Sequence, residues 1–111
     1  MEIKDLVESM IKQFVEDLRP PVEIREELDI VYTYENQTLE IGELRPRWDK
    51  PQLKTITPVA KATFVKSRDI WKVYWKRASG KWDPYTPKPE VKHLDAFFKL
   101  IKEDKHHCFW G

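Results

Sequence analysis

Apolar residues recur at three- and four-residue steps through Ile3, Leu6, Val7, Met10, Ile11, Phe14 and Leu18, with Glu8, Lys12, Glu16 and Asp17 between them. That spacing lays one apolar stripe along a helix and predicts an amphipathic helix over residues 2–18. Pro20 and Pro21 stop it at Arg19. A proline cannot donate the next helical hydrogen bond, and it pushes the residue before it out of the α region.

From Glu27 the period shortens to two. Leu28, Ile30, Tyr32 and Tyr34 alternate with Asp29, Val31 and Thr33, which predicts a half-buried strand. Glu35-Asn36-Gln37 forms the turn, and Thr38 to about Arg45 the return strand, with Leu39 and Ile41 on one face and Glu40 and Gly42 on the other. Between Trp48 and Pro58 there is no clean period, and the stretch reads as a loop. Val59–Val65 and Ile70–Arg77 predict a third and a fourth strand joined by a turn at Lys66-Ser67-Arg68-Asp69. In the fourth, Trp71, Val73 and Trp75 share one face, and Ile70, Lys72, Tyr74 and Lys76 the other. Ala78-Ser79-Gly80-Lys81 turns into a short last strand, Trp82–Tyr85.

Pro84, Pro87 and Pro89 predict an extended connector over 84–89. A second amphipathic helix is expected from about Val91 to Asp104, with Val91, Leu94, Phe97, Phe98 and Ile101 on its apolar side. Phe109 and Trp110 in the tail are expected to dock on the body, because a side chain such as Phe gains about 1.5–3 kcal/mol on burial. The order predicts an α+β fold, an antiparallel sheet of about five strands flanked by an N-terminal and a C-terminal helix.

At 111 residues the chain is expected to form a single domain over 1–111. One cysteine, Cys108, makes no intramolecular disulfide and favours a reducing compartment. The N-terminus lacks the order of a signal peptide, and no apolar run reaches the length of a membrane span. The expectation is a cytoplasmic protein with no membrane contact, monomeric or weakly dimeric.

Splitting the net charge of +1 along the chain changes the picture. Residues 1–44 hold four basic and twelve acidic side chains. Residues 45–82 hold eleven basic side chains against Asp49 and Asp69, and residues 83–111 balance five against five. Either the acidic helix and basic sheet neutralise each other within the fold, or the sheet presents a basic face. The second option marks Arg45, Arg47, Trp48, Lys66, Arg68, Lys72, Tyr74, Lys76 and Arg77 as a candidate binding site. Single-stranded nucleic acid is held by rings that stack on bases and cations that neutralise phosphates. Lys72, Tyr74 and Lys76 fall on one strand face at intervals of about 6.6 Å. Trp71 and Trp75, on the opposite face, are read as core.

The stretches Arg45-Pro46-Arg47-Trp48, Pro58 to Ser67, Trp71 to Ala78, Lys81-Trp82 and the ending Cys108-Phe109-Trp110-Gly111 resemble the small bacterial proteins of domain-of-unknown-function family 3024. The resemblance spans residues 28–111 and implies no activity, cofactor or partner.

Other constellations are weaker. His106, His107 and Cys108, with His93, are zinc-ligand types, but their spacing does not let a backbone wrap a tetrahedral ion, and a docked tail is expected with no metal. Asp29, Glu40 and Glu43 beside a basic patch would suit a metal-dependent nuclease, yet Glu40 and Glu43 face opposite ways on an unbroken strand. Phosphate-cradling glycine loops and Ser/His/Asp signatures are absent. The sequence therefore favours a non-catalytic, cofactor-free module that binds nucleic acid or another polyanion. The alternative is a protein-interaction or self-association module that pairs acidic helix with basic sheet surfaces.

Overall fold

A computed structural model describes residues 3–110, with side chains from Leu6 onward. The expected helix start at Glu2, the side chain of Ile3 and the terminal Gly111 lie outside what it describes. The elements run α1 (Ile3–Leu18), β1 (Asp29–Glu35), β2 (Thr38–Pro46), β3 (Lys54–Val65), β4 (Ile70–Lys76), β5 (Trp82–Pro84), β6 (Glu90–Val91) and α2 (Leu94–Glu103). The sheet has the order β1-β2-β3-β4-β5, and β6 also pairs with β4. An antiparallel sheet with one helix at each end of the chain makes the fold α+β. The backbone divides into two compact units, Met1–Tyr32 with Gly42–Thr57, and Thr33–Ile41 with Pro58–Gly111.

In the first unit, α1 buries Ile11, Phe14 and Val15, while Leu6 and Met10 of the expected apolar stripe stay exposed. The helix closes with the Arg19 N–H shared between the carbonyls of Val15 and Glu16, as helix ends often do. Short turns over 21–28 lead to Asp29, whose carboxylate accepts two bonds from the Arg19 guanidinium, each 2.9 Å. The same carboxylate accepts the Ile30 N–H at 2.8 Å, which ties the helix end to the start of β1.

The stretch expected to be a loop corrects to a hairpin. The Arg47 N–H donates to Leu53 O at 2.8 Å, and the strand state begins at Lys54 rather than Val59. Thr55, Ile56 and Thr57 are β-branched and suited to a strand. Pro58 obscured the pattern because it reads as a breaker, yet the β3–β4 ladder starts only at Ala60↔Trp75. Before that point a missing N–H forfeits no bond to β4.

In the second unit, Asn36 and Gln37 both take positive φ, 50° and 62°. Two such residues form the tight loop whose twist matches a hairpin. The register of β3 with β4 runs from Ala60↔Trp75 to Val65↔Ile70. Directly opposed residues share a face, so Ala60, Ala62, Phe64, Trp71, Val73 and Trp75 form one face and Lys61, Thr63, Lys72 and Tyr74 the other. Ala60, Ala62, Trp71 and Val73 are buried, and Phe64 packs on Trp71 with ring centroids 5.1 Å apart.

The other edge of β4 is shared. β5 pairs with residues 74–76 and β6 with 71–72. Between them the Val73 N–H donates to Pro89 O and its carbonyl accepts the Tyr85 N–H, both at 2.9 Å. Prolines at 84, 87 and 89 cannot donate to a ladder, which keeps these strands short. The connector thus contains a strand that periodicity does not reveal, because two residues carry no period. Val91, expected in the second helix, is a buried β6 residue. Tyr85, expected to end the last strand, lies one residue past β5 and is buried. β4 itself ends at Lys76, one residue short of the expected Arg77.

Helix α2 therefore starts at Leu94, after His93 in extended conformation. It buries Leu94, Phe97, Phe98 and Ile101, the i, i+3, i+4, i+7 stripe, and contacts β4 and β6. Asp104 ends it in the left-handed region, φ 40° and ψ 51°. Its carboxylate is buried and accepts the N–H groups of Phe109 at 3.1 Å and Trp110 at 2.9 Å. Trp110 Nε1 donates to Ile101 O, and Phe109 packs on Tyr85 with centroids 4.9 Å apart. The tail docks, as its two aromatic residues require.

Candidate functional site

The nine predicted site residues divide between the units. Arg45, Arg47 and Trp48 fall in the first, and Lys66, Arg68, Lys72, Tyr74, Lys76 and Arg77 in the second.

In the first unit, Arg45 donates to Glu43 at 3.1 Å, and Arg47 makes a two-bonded pair with Asp49. Lys54 is paired with Glu26 at 3.2 Å. Trp48, between the members of the Arg47–Asp49 pair, is 95% exposed. Its loop is pinned by the Arg47–Leu53 bond and by Leu53 N–H to Lys50 O at 2.9 Å. The ring is held out on an ordered tip. A concavity in this unit, about 330 Å³, is lined by Lys12, Val15, Glu16, Arg19, Asp29, Ile30, Val31 and Tyr32. Three of its charged groups are spent on one another: the Arg19 guanidinium bonds both Asp29 oxygens and reaches Glu16 at 3.3 Å. The bonds from Arg19 hold the Asp29 carboxyl below its usual range, and those to Asp29 raise Arg19 further above its own.

In the second unit the arginines are also engaged. Arg68 makes a bidentate pair with Glu90 at 2.8 and 2.9 Å, and Arg77 lies 3.4 Å from Asp83. The Arg68 bonds lower the Glu90 carboxyl and Glu90 raises Arg68, so the Glu90 side chain is an ionised, oriented acceptor. The lysines behave differently. Among the described residues, Lys61, Lys66, Lys72 and Lys76 form no salt bridge. Lys61 Nζ sits over both the Tyr74 ring, 4.7 Å from its centroid, and the Trp82 ring, 4.9 Å away. Lys76 Nζ lies 5.5 Å from the Trp82 centroid. Cation–π attraction of this kind fixes an ammonium without neutralising it.

The register explains the grouping. Lys61 is opposite Tyr74, Tyr74 opposite Pro84, and Lys76 opposite Trp82, so three strands deliver two rings and two cations to one patch. Lys72, two residues before Tyr74, is paired with Glu90 of β6, and beside the Arg68 bonds its charge helps lower the Glu90 carboxyl. Where β5 gives way to β6, a cleft of about 210 Å³ opens, lined by Lys72, Val73, Tyr74, Pro84, Pro89 and Glu90. Trp82 and Lys61 both lie outside the nine predicted residues, and Lys61 is the one that reading the sequence missed. Alternation along Val59–Val65 sets it on the polar face of β3, but only the register places it beside Tyr74.

The remaining candidates do not assemble. Among the described residues no group of three or more His, Cys, Asp or Glu side chains is placed to hold a metal ion. Burial pushes the Cys108 thiol up, away from the thiolate that a nucleophile or metal ligand needs, and Asp104 adds to the shift. Asp29 and Glu43 are occupied by Arg19 and Arg45. Among the described residues, no helix is long and apolar enough to cross a membrane.

An α+β module with a lysine-rich, ring-bearing sheet face defines a class by architecture alone. The model of the domain of unknown function DUF3024 matches residues 1–111, and the chain belongs to that family. No curated protein and no solved structure matches the chain.

Proposed function

We propose that the chain is a non-catalytic binding module that engages nucleic acid or another polyanion through the β3–β4–β5 face. Lys61, Lys72 and Lys76 are its cations, and Tyr74 and Trp82 its rings. The observation that carries this reading is the contrast between the two kinds of cation. Arg45, Arg47, Arg68 and Arg77 are each held by a carboxylate, whereas Lys61 and Lys76 are held by aromatic faces and keep their charge uncompensated. A phosphate reaching that face meets unpaired ammonium groups already restrained near rings, which lowers the entropy lost on binding.

Fluorescence anisotropy of a labelled single-stranded oligonucleotide tests it. Affinity is expected to fall with salt at a log–log slope of about −0.7 per phosphate contacted. Replacing Lys61, Lys72 and Lys76 together by alanine should reduce that slope by about 2, whereas Arg45→Ala leaves it unchanged. Absence of binding at low salt to the oligonucleotide and to inorganic polyphosphate alike would overturn the reading.

A second reading, self-association or docking of a protein partner, draws on the first unit. Trp48, Leu53 and Ile56 are exposed along its hairpin, and Leu6, Met10, Val22 and Ile24 elsewhere in the unit. Sedimentation at low and high salt separates the readings: a dimer that persists in high salt supports the apolar surface, and a monomer throughout removes it.

A further inference from the structure

The cleft at the junction of β5 and β6 gives the polyanion face a feature that phosphate binding does not need. We infer that it accepts one unpaired nucleobase, so that the ligand is single-stranded nucleic acid rather than a duplex or a base-free polyanion. The inference rests on the reading of the β3–β4–β5 face given above and narrows its ligand class.

Three observations carry it. First, the size fits: about 210 Å³ falls short of the roughly 300–1,000 Å³ of pockets for drug-sized ligands and suits one small planar group. Second, the lining is of two kinds. Tyr74, Pro84 and Pro89 offer flat, largely apolar surface for stacking, and Lys72 stands at the same cleft to meet the adjoining phosphate. Third, Glu90 brings an acceptor to a patch that is otherwise basic. Its two oxygens are oriented by the bidentate Arg68 pair, and each keeps a lone pair for a donor from the ligand. A carboxylate repels phosphate, so it weakens a site built for phosphate alone. It accepts well from the exocyclic amine of a base, as acidic side chains do from cytosine N4. A base within a duplex cannot enter without leaving its stack, which costs a few kcal/mol.

Three probes of equal phosphate count separate the possibilities on the full chain: oligo-dC, oligo-dT and an abasic oligonucleotide. Oligo-dC is expected to bind at least about fivefold more tightly than the abasic strand, the lower bound of one stacked base. Tyr74→Ala should bring the affinity ratio of oligo-dC to the abasic strand down to about one, whatever common shift the loss of the ring beneath Lys61 imposes on both strands. Glu90→Gln should shrink the preference for oligo-dC over oligo-dT. Circular dichroism of both variants shows that the fold is intact, and each variant is read by its own ratio of oligo-dC to abasic affinity, in which a change in the phosphate contribution common to both strands cancels. Equal affinity for base-bearing and abasic strands overturns the inference while leaving the polyanion reading in place. Failure of every probe to bind overturns both.

Discussion

The two units of this chain treat their apolar residues in opposite ways. Among the described residues, the second unit holds fifteen of the buried apolar side chains and none of the large exposed ones. The first holds four buried ones, Ile11, Phe14, Val15 and Ile30, and carries all seven large exposed ones, from Leu6 to Ile56. The second unit is organised around a core formed by α2, β4 and the docked tail, and it sets lysines on the reverse of that sheet face. The first organises itself more by polar bonds, above all Arg19–Asp29 and Arg47–Asp49, and leaves apolar surface outside. The same residue type therefore means different things in the two places. Trp71 is 7% exposed and Trp48 is 95% exposed.

The largest expected effect is Trp71→Ala. Removing a buried aromatic side chain that packs on Phe64 should cost about 3–5 kcal/mol in urea denaturation. A cost below about 1 kcal/mol would mean that the second unit does not depend on this core.

Asp104→Ala comes next. It leaves the Phe109 and Trp110 amides without their acceptor and places a less tolerant residue in the left-handed region, for an expected loss of about 2–4 kcal/mol. Asp104→Asn keeps one acceptor oxygen and the tolerance for positive φ, and should lose about half as much. Equal losses in the two variants would show that the tail is held by its rings rather than by the carboxylate.

The polar device of the first unit is tested by pH. Arg19 lowers the Asp29 carboxyl in the folded chain, so its stabilisation is complete above the unfolded value of about 3.9 and is lost as pH falls through the lower folded value. Asp29→Asn should therefore have a lower thermal midpoint than the parent at about pH 5, with the gap closing toward about pH 2. A gap that stays constant with pH would assign the loss to packing instead of charge.

Trp48→Ala should have the smallest effect, within about 0.5 kcal/mol of the parent, because almost no surface of that ring is withdrawn from water. Acrylamide should quench its fluorescence far more than that of Trp71. A protected Trp48 would break the contrast between the units.

Much of the fold was legible along the chain. The three- and four-residue steps through Phe14, the alternation around Ile30 and Tyr32, the Asn36-Gln37 turn and the opposite faces of β4 follow from the helix and strand periods, which any short stretch displays. The elements that escaped are those without a period: β6, with only two residues, and Lys54–Thr57, hidden by Pro58.

For the site, the sequence by itself determined that Lys72, Tyr74 and Lys76 share one strand face and that Trp71 belongs to the other, because alternation is a property of one strand. Tertiary structure alone decided which cations are free. Arg68 meets Glu90 across 22 positions, and Lys61 meets Tyr74 and Trp82 from neighbouring strands. Both depend on strand register, in which a shift of one residue sends every side chain to the opposite face.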